Sequence, residues 1–182
     1  MHQCSLWLVL LSCYSHQVLA VNELEELRPH LGNEWLQIQN DKRNDIRTYI
    51  RHEDDKPFRS FKTDMRLDVN LKTLASVMLD FDNYTKWYWK TRTSKLLKKH
   101  SPTHFIIYIV HDAPYNIPDL DVILDAVVEP QSASQSAITI KVSALPDYLP
   151  LKPPLHRMAA EDMSIKVTPL PNERVHIEVQ GY

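Results

Sequence analysis

A repeated alternation of apolar and polar residues constrains the fold of this chain more than any other feature. It is clearest over residues 61–69, where Phe61, Thr63, Met65, Leu67 and Val69 alternate with Lys62, Asp64, Arg66 and Asp68. Similar alternation recurs near Leu124, Ile140, Ile165 and Ile177. A period of two buries one face of a β-strand and leaves the other in water. The sequence therefore predicts a large antiparallel sheet with one apolar face.

Helical periodicity is confined to short stretches. Asn70 is a good N-cap, and Leu71, Leu74 and Met78 recur at helical spacing, which predicts a helix to about Leu79. Residues 80–86 are polar and predict a loop or a short helical turn. A second short amphipathic helix is expected over residues 23–30, before Leu31.

The remaining segments add further strands, so the sequence predicts the α+β fold class. Residues 35–39 and 46–51 predict a hairpin, and residues 105–110 are apolar on both faces, as in a central strand. The proline-rich residues 146–154 can form neither a helix nor a central strand. A curved sheet around a helix encloses a space, which side chains or a ligand must fill.

Composition excludes several functional classes. The 182 residues are 43% apolar and 24% charged, with a formal net charge of −2, as expected for one globular domain. This balance offers no basic face for nucleic acid, so no nucleic-acid partner is expected. Only two glycines are present, which excludes glycine-rich phosphate loops. Both cysteines, Cys4 and Cys13, precede residue 21, so no disulfide or cysteine-ligated zinc is expected downstream.

The first 20 residues differ in composition from the remainder. They contain no Asp, Glu, Lys or Arg, and residues 6–11 form an apolar block followed by Val18-Leu19-Ala20. We therefore expect residues 1–20 to be a signal peptide and residues 21–182 an exported domain, periplasmic or secreted. Two alternatives are a retained hydrophobic anchor and a lipoprotein anchored at Cys13.

Titratable residues form no recognisable catalytic or metal-binding pattern. The nine histidines are scattered, and Pro102 between His100 and His104 prevents helical spacing of the two rings. Asp119 and Asp121 flank a predicted turn and are expected to be solvated. We therefore expect no catalytic residue, no metal and no cofactor.

An aromatic group follows the predicted helix and has two interpretations. Tyr84, Trp87, Tyr88 and Trp89 either plug the core beneath the sheet or surround the mouth of an apolar cavity. Amphipathic rings at such a mouth would meet a ligand that enters from water or from a membrane.

Four motifs, in this order, resemble those of the START (steroidogenic acute regulatory protein-related lipid transfer) family. They are Trp35-Leu36-x-Ile38 with Asp45-Ile46-x-x-Tyr49-x-Arg51, Leu79-Asp80-x-x-x-Tyr84-x-x-Trp87, residues 111–121, and His156-Arg157-Met158. The resemblance implies a helix-grip fold, a curved antiparallel sheet around a long helix and an apolar cavity. Leu120 departs from the family's usual arginine. The sequence also lacks the family's long C-terminal helix, since Tyr182 directly follows the last predicted strand, and this would leave an apolar face uncovered. We expect a truncated gene product; the alternatives are a dimer that covers the open face and a ligand held in a groove.

The resemblance implies binding or transfer of a lipid or other apolar small molecule, with transient membrane contact and without catalysis. The candidate cavity residues are Trp87, Tyr108, Leu124, Ala126, Ile138, Ile140 and Arg157. Arg157 would anchor a polar head group or, alternatively, fix strand ends through a salt bridge. Two other functions remain open at this point: a polyketide cyclase-like enzyme of the same superfamily, and a structural or interaction module with a filled core.

Overall fold

The structure, a computed structural model, describes residues 34–53, 59–133 and 135–182. The expected signal peptide and the expected helix over residues 23–30 lie outside the described residues.

One antiparallel sheet of ten strands dominates the described chain. Its neighbouring strands run in the order β1-β2-β3-β10-β9-β7-β6-β5-β4, and the two-residue β8 pairs in parallel with β6. The elements in chain order are β1 (Leu36–Asp41), β2 (Ile46–Arg51), β3 (Ser60–Leu67), α1 (Leu71–Met78), a 3₁₀ helix (Phe81–Lys86), β4 (Thr91–Ser101), β5 (His104–His111), β6 (Leu120–Glu129), β7 (Ile138–Ala144), β8 (His156–Arg157), β9 (Met163–Leu170) and β10 (Arg174–Gly181). The predicted α+β helix-grip class is confirmed.

Strand register gathers the alternating apolar residues on one face of the sheet. Ile177 of β10 lies opposite Met65 of β3 on one side and opposite Val167 of β9 on the other. In the next strands, Val142 lies opposite Ala126. A slip of one residue would move each apolar set into water, so the alternation itself fixes the pairing. We call this apolar side the concave face and the opposite side the convex face.

The helix α1 begins and ends where the sequence predicts. The Asn70 side chain accepts a 2.9 Å hydrogen bond from the Thr73 amide, and Leu79 caps the other end. Leu71 and Leu74 pack against the β9–β10 part of the sheet. This α-helix has eight residues and is shorter than the long helix that the resemblance implied.

Strand β4 was not predicted from the sequence. It contains adjacent Leu96 and Leu97 between exposed lysines, and its pairing with β5 shifts register at Leu96/Lys98. The bulge breaks the period of two, which removes the signal used to find strands. Exposed Lys95, Lys98 and Lys99 suit its position at the sheet edge, because charged edge strands resist pairing with other chains.

A buried ion pair fastens the proline-rich segment to the convex face. Asp121 is fully buried, which contradicts the expectation that it is solvated. Arg157 donates hydrogen bonds to both carboxylate oxygens of Asp121, from Nε to Oδ1 at 3.0 Å and from Nη2 to Oδ2 at 2.9 Å. Arg157 also donates to the carbonyls of Pro146 and Leu149, so the loop closes over the pair.

The electrostatics of this pair follow from its burial. Burial raises the pKa of Asp121, but the hydrogen bonds and charge of Arg157 outweigh it, so the pKa is lowered. The bond to Asp121 raises the pKa of Arg157 despite the cost of burial. Burial and the Asp121 charge raise the pKa of the neighbouring Tyr108 to about 12. Both members of the pair therefore stay charged at neutral pH.

Replacing Arg157 with methionine will destabilise the domain by about 3–5 kcal/mol, because Asp121 would remain as an uncompensated buried charge. The free energy of unfolding, measured by urea denaturation, tests this. Lys141→Ala is the matched control: it breaks an exposed pair with Glu129, and a loss below about 1 kcal/mol is expected. Equal losses in the two variants would contradict a special role for the buried pair.

Candidate apolar binding groove

A groove lies between the concave face and the segment formed by α1 and the 3₁₀ helix. Its volume is about 420 Å³, and each lining residue in the described chain is aliphatic, aromatic or methionine. The sheet contributes residues from β3, β5, β6, β7, β9 and β10, while the helical side contributes Leu74, Met78, Phe81 and Tyr84. The groove is therefore an apolar space of ligand size, because small-molecule sites span roughly 300–1,000 Å³.

The mouth of the groove lies at the end of α1 and beside Trp87. Val77, Leu79 and Trp87 line the groove, yet each is nearly half exposed, at 45%, 47% and 47%. Residues deeper in the wall, such as Ile109 and Leu124, are buried. An apolar molecule entering from outside would meet the half-exposed residues first.

Aromatic rings in tilted and edge-to-face contact form the helical wall. Phe81 lies 5.1 Å from Phe105 on the sheet, measured between ring centroids, and Tyr84 meets the edge of Trp87 at 4.7 Å. The Tyr84 hydroxyl donates to the Met78 carbonyl at 2.6 Å, which joins the end of α1 to the 3₁₀ helix. The structure combines both interpretations of the predicted aromatic group, since Tyr84 and Tyr88 pack against the core while Trp87 lies half exposed at the mouth.

A buried polar cluster adjoins the groove at Tyr88. The Tyr88 hydroxyl, on a groove-lining residue, donates to Glu161 Oε1 at 2.8 Å, and His111 Nε2 lies 3.3 Å from Glu161 Oε2. The His111 side chain is 5% exposed and that of Glu161 is 12% exposed. The second ring nitrogen of His111, Nδ1, lies 3.1 Å from the Trp89 carbonyl oxygen.

The ionisation of this cluster is set by burial and by Glu161. Burial lowers the pKa of His111, but the hydrogen bond and charge of Glu161, with the Trp89 carbonyl, outweigh burial, so the pKa is raised. Burial first, and then the charge of Glu161, raise the pKa of Tyr88. Burial likewise raises the pKa of Tyr84. Both tyrosines therefore stay protonated at physiological pH.

Four of the predicted cavity residues line the groove, namely Trp87, Leu124, Ala126 and Ile140. Ile138 shares the concave face with Ile140 but packs against the β9–β10 core instead of lining the groove. Ile138 lies two residues before Ile140 on β7, which places its side chain beyond the end of the groove wall.

Tyr108 and Arg157 do not line the groove, contrary to the prediction. Tyr108 faces the convex side with Ile106 and Ile123, because it is one residue out of phase with the concave residues of β5. Arg157 binds Asp121 and loop carbonyls. It therefore forms a structural salt bridge, which was the alternative to a role as head-group anchor.

Sequence reasoning missed part of the groove wall and the polar cluster. Met65, Ile165, Ile177 and Val179 line the groove from strands whose alternation was recognised, so their signal was available. Glu161 gave no such signal, because it lies in the irregular segment before β9 and meets Tyr88 from a distant part of the chain.

The described part of the chain contains neither a metal-ion cluster nor a helix able to span a membrane. No group of three or more His, Cys, Asp or Glu side chains there is arranged to hold a metal ion. Among these same residues, no helix has the length and apolarity needed to cross a membrane.

The fold and the groove define a helix-grip domain with an apolar groove between its sheet and its short helical segment. No protein-family model matches the chain, and no curated protein matches it. Among solved structures, it is similar to a STAR-related lipid transfer protein from Xanthomonas axonopodis, with 25% identity, a TM-score of 0.73, and coverage of 81% of this chain and 80% of that one.

Two human structures resemble the chain at lower identity. The StarD13 (DLC2) lipid transfer and protein localization domain has 10% identity and a TM-score of 0.71, over 92% of this chain and 83% of that one. Human STARD10 has 18% identity and a TM-score of 0.69, over 93% of this chain and 69% of that one. The chain therefore has the START fold, and the resemblance predicted from its motifs is confirmed.

His111 will contribute to stability mainly on the acid side of neutrality. Its pKa in the folded state is raised above the ordinary value of 6.5, so its contribution is complete below that pH and is lost as pH rises through the raised pKa. The difference in unfolding free energy between wild type and His111→Asn should therefore shrink as pH rises. Urea denaturation over a pH series measures it.

A histidine without this environment provides the control. His156 is exposed, so His156→Asn should change the free energy of unfolding by less than about 0.5 kcal/mol at each pH of the series. If His111→Asn leaves the pH dependence of the unfolding free energy as it is in the wild type, the Glu161–His111 contact does not contribute to stability.

Proposed function

We propose that this domain binds a lipid or another apolar small molecule in the groove and carries it without chemical change. The observation that carries the proposal is the wall of the groove, which is apolar throughout the described residues and opens beside Trp87. The lipid transfer proteins to which the chain is similar support the same function.

The size of the groove agrees with a useful affinity. Burial of roughly 300 Å² of ligand surface would contribute on the order of 7 kcal/mol before the costs of association. The wall supplies shape and area, and the hydroxyls of Tyr84 and Tyr88 already donate to Met78 and Glu161. A ligand with an apolar body therefore fits this wall better than one with many polar groups, which would leave hydrogen bonds unmade.

The chemistry of the wall supports a carrier over a cyclase-like enzyme. Acid–base catalysis needs a titratable group close to the substrate with a pKa near the working pH. Among the described lining residues the titratable groups are Tyr84 and Tyr88, and burial raises the pKa of both. The open volume likewise favours a binding domain over a module whose core is filled.

Introducing a charge into the groove will abolish ligand uptake. Ile140→Lys places an ammonium group in the apolar wall, where an unpaired charge costs several kcal/mol, so affinity for a fluorescent fatty acid or sterol should fall by more than about tenfold. Fluorescence titration of the delipidated domain measures this. Ser143→Lys is the matched control, because Ser143 is exposed on the same strand and pairs with Asp125 on the convex side.

A second variant protects the test against misfolding. Ala126→Phe keeps the wall apolar but fills part of the groove, so uptake should fall although the domain remains folded. Circular dichroism verifies folding. If the folded wild type takes up no probe from a broad apolar panel, and native mass spectrometry of protein from its source finds no bound lipid, the carrier function is wrong.

We propose further that the domain is exported and meets membranes transiently when it exchanges its ligand. The charge-free residues 1–20 support export, since they have the composition of a secretory signal. Expression of the full chain in a secreting host, followed by amino-terminal sequencing, should give a product that starts near Val21. A start at lipid-modified Cys13 would favour the lipoprotein alternative, and an intact Met1 in the cytosol would contradict export.

A further inference from the structure

The two edge strands of the sheet differ in charge. At one edge, β4 carries exposed Lys95, Lys98 and Lys99. At the other edge, β1 has no charged residue from Leu36 to Asn40, and each side chain in that stretch is exposed. Charged residues on an edge strand discourage pairing with another chain, because an added strand would bury them. Strand β1 lacks this protection.

Strand β1 also presents an open backbone edge. Within the described residues it pairs with β2 alone. A strand with one neighbour directs about half of its backbone N–H and C=O groups away from that neighbour, where they can pair with another strand. Both edge strands contain bulges, at Gln37/Gln39 in β1 and at three places in β4. Charge is therefore the property that distinguishes the two edges.

Apolar side chains reach the surface at this edge. Leu36 is 46% exposed and Ile38 is 54% exposed. Leu36 lies opposite Ile50 of β2, and Ile50 lies opposite Phe61 of β3. A row of apolar side chains therefore crosses three strands and ends at the half-exposed Leu36. A further strand beside β1 would continue the row and cover its end.

The two ends of β1 carry opposite charges. Exposed Glu34 precedes the strand, and exposed Lys42 and Arg43 follow it in the β1–β2 turn. The Asp41 carboxylate, which lies beside these cations, accepts hydrogen bonds from the backbone amides of Arg43 and Asn44 within the turn. An antiparallel copy of the strand would place Glu34 of each chain beside Lys42 and Arg43 of the other. The charges thus favour a second copy as the partner.

We propose that β1 pairs in antiparallel orientation with β1 of a second copy of this chain, so that one sheet runs through a two-fold symmetric dimer. The pairing is self-complementary, because the same strand forms both sides of the interface. It provides partners for the open backbone edge, covers Leu36 and Ile38, and joins opposite charges at both ends. The described groove-lining residues include none from β1, so this dimer is independent of the proposed ligand binding.

Sedimentation velocity of the purified protein over a range of concentrations tests whether the dimer forms. Two short strands bury less surface than a stable dimer needs, so we expect a dissociation constant of about 1–100 µM. Ile38→Lys should weaken the dimer by about tenfold or more, because it places a charge on the paired edge of each copy. Ile117→Lys is the matched control and should have no effect, because Ile117 is 55% exposed but lies in the connection between β5 and β6.

Charge exchange tests the antiparallel orientation. Glu34→Lys, and separately the double change Lys42→Glu with Arg43→Glu, should each weaken the dimer by about fivefold, because like charges would then meet at both ends. An equimolar mixture of the two variant proteins should restore the affinity, because a mixed dimer joins opposite charges at both ends. Lys98→Glu, on the exposed edge of β4, is the control and should have no effect. Circular dichroism verifies that each variant is folded.

Three other results would overturn the proposal. The first is a wild-type protein that stays monomeric at millimolar concentration. The second is a dimer that Ile38→Lys and the charge variants leave unchanged, because the contact would then lie on another surface, such as the concave face. The third is assembly beyond a dimer that Lys98→Glu weakens, because β1 would then pair head to tail with β4. Uptake of a fluorescent fatty acid should be the same in all these variants, so a failed dimer leaves the carrier function standing.

Discussion

The concave face of this sheet is larger than the helix that packs on it, and most of the architecture follows from that mismatch. Nine neighbouring strands at about 4.8 Å spacing span roughly 40 Å, whereas an eight-residue helix is about 12 Å long. Curvature of the sheet and the aromatic wall after α1 cover part of the concave face that α1 leaves open, but not all of it. Among the described residues, the remaining apolar face forms the wall of the groove. The groove is thus a consequence of the strand pattern.

Polar interactions are placed so that they hold this arrangement without entering the groove. Arg157 and Asp121 fasten the proline-rich segment to the convex side, and Glu161 joins Tyr88 to His111 at one end of the concave side. A buried charge that lacks a partner is costly, so each of these groups requires the others to be in position. The apolar wall keeps its character because the polar side chains near it already have partners.

Much of the fold was predictable because it depends on local pattern. The register of β3, the N-cap at Asn70 and the end of α1 follow from alternation, capping chemistry and helical spacing. The failures have physical causes. The bulge in β4 disrupts its period, and Asp121, next to a turn in sequence, is buried because Arg157 reaches it from a distant segment. Local pattern carries no information about such distant partners.

For the site, the sequence by itself determined that one face of the sheet is apolar and that Leu124, Ala126 and Ile140 share it, because a period of two assigns every second residue to one side. Only the tertiary structure decided where along that face the space lies, since this depends on how far α1 extends over the sheet. It also decided that Tyr108 lies on the opposite side, because β5 is apolar on both faces and its sequence leaves the phase open, and it placed Arg157 there through the ion pair with Asp121. The alternation of apolar and polar residues is a local property, whereas the position of a groove depends on packing between segments that are distant in the chain.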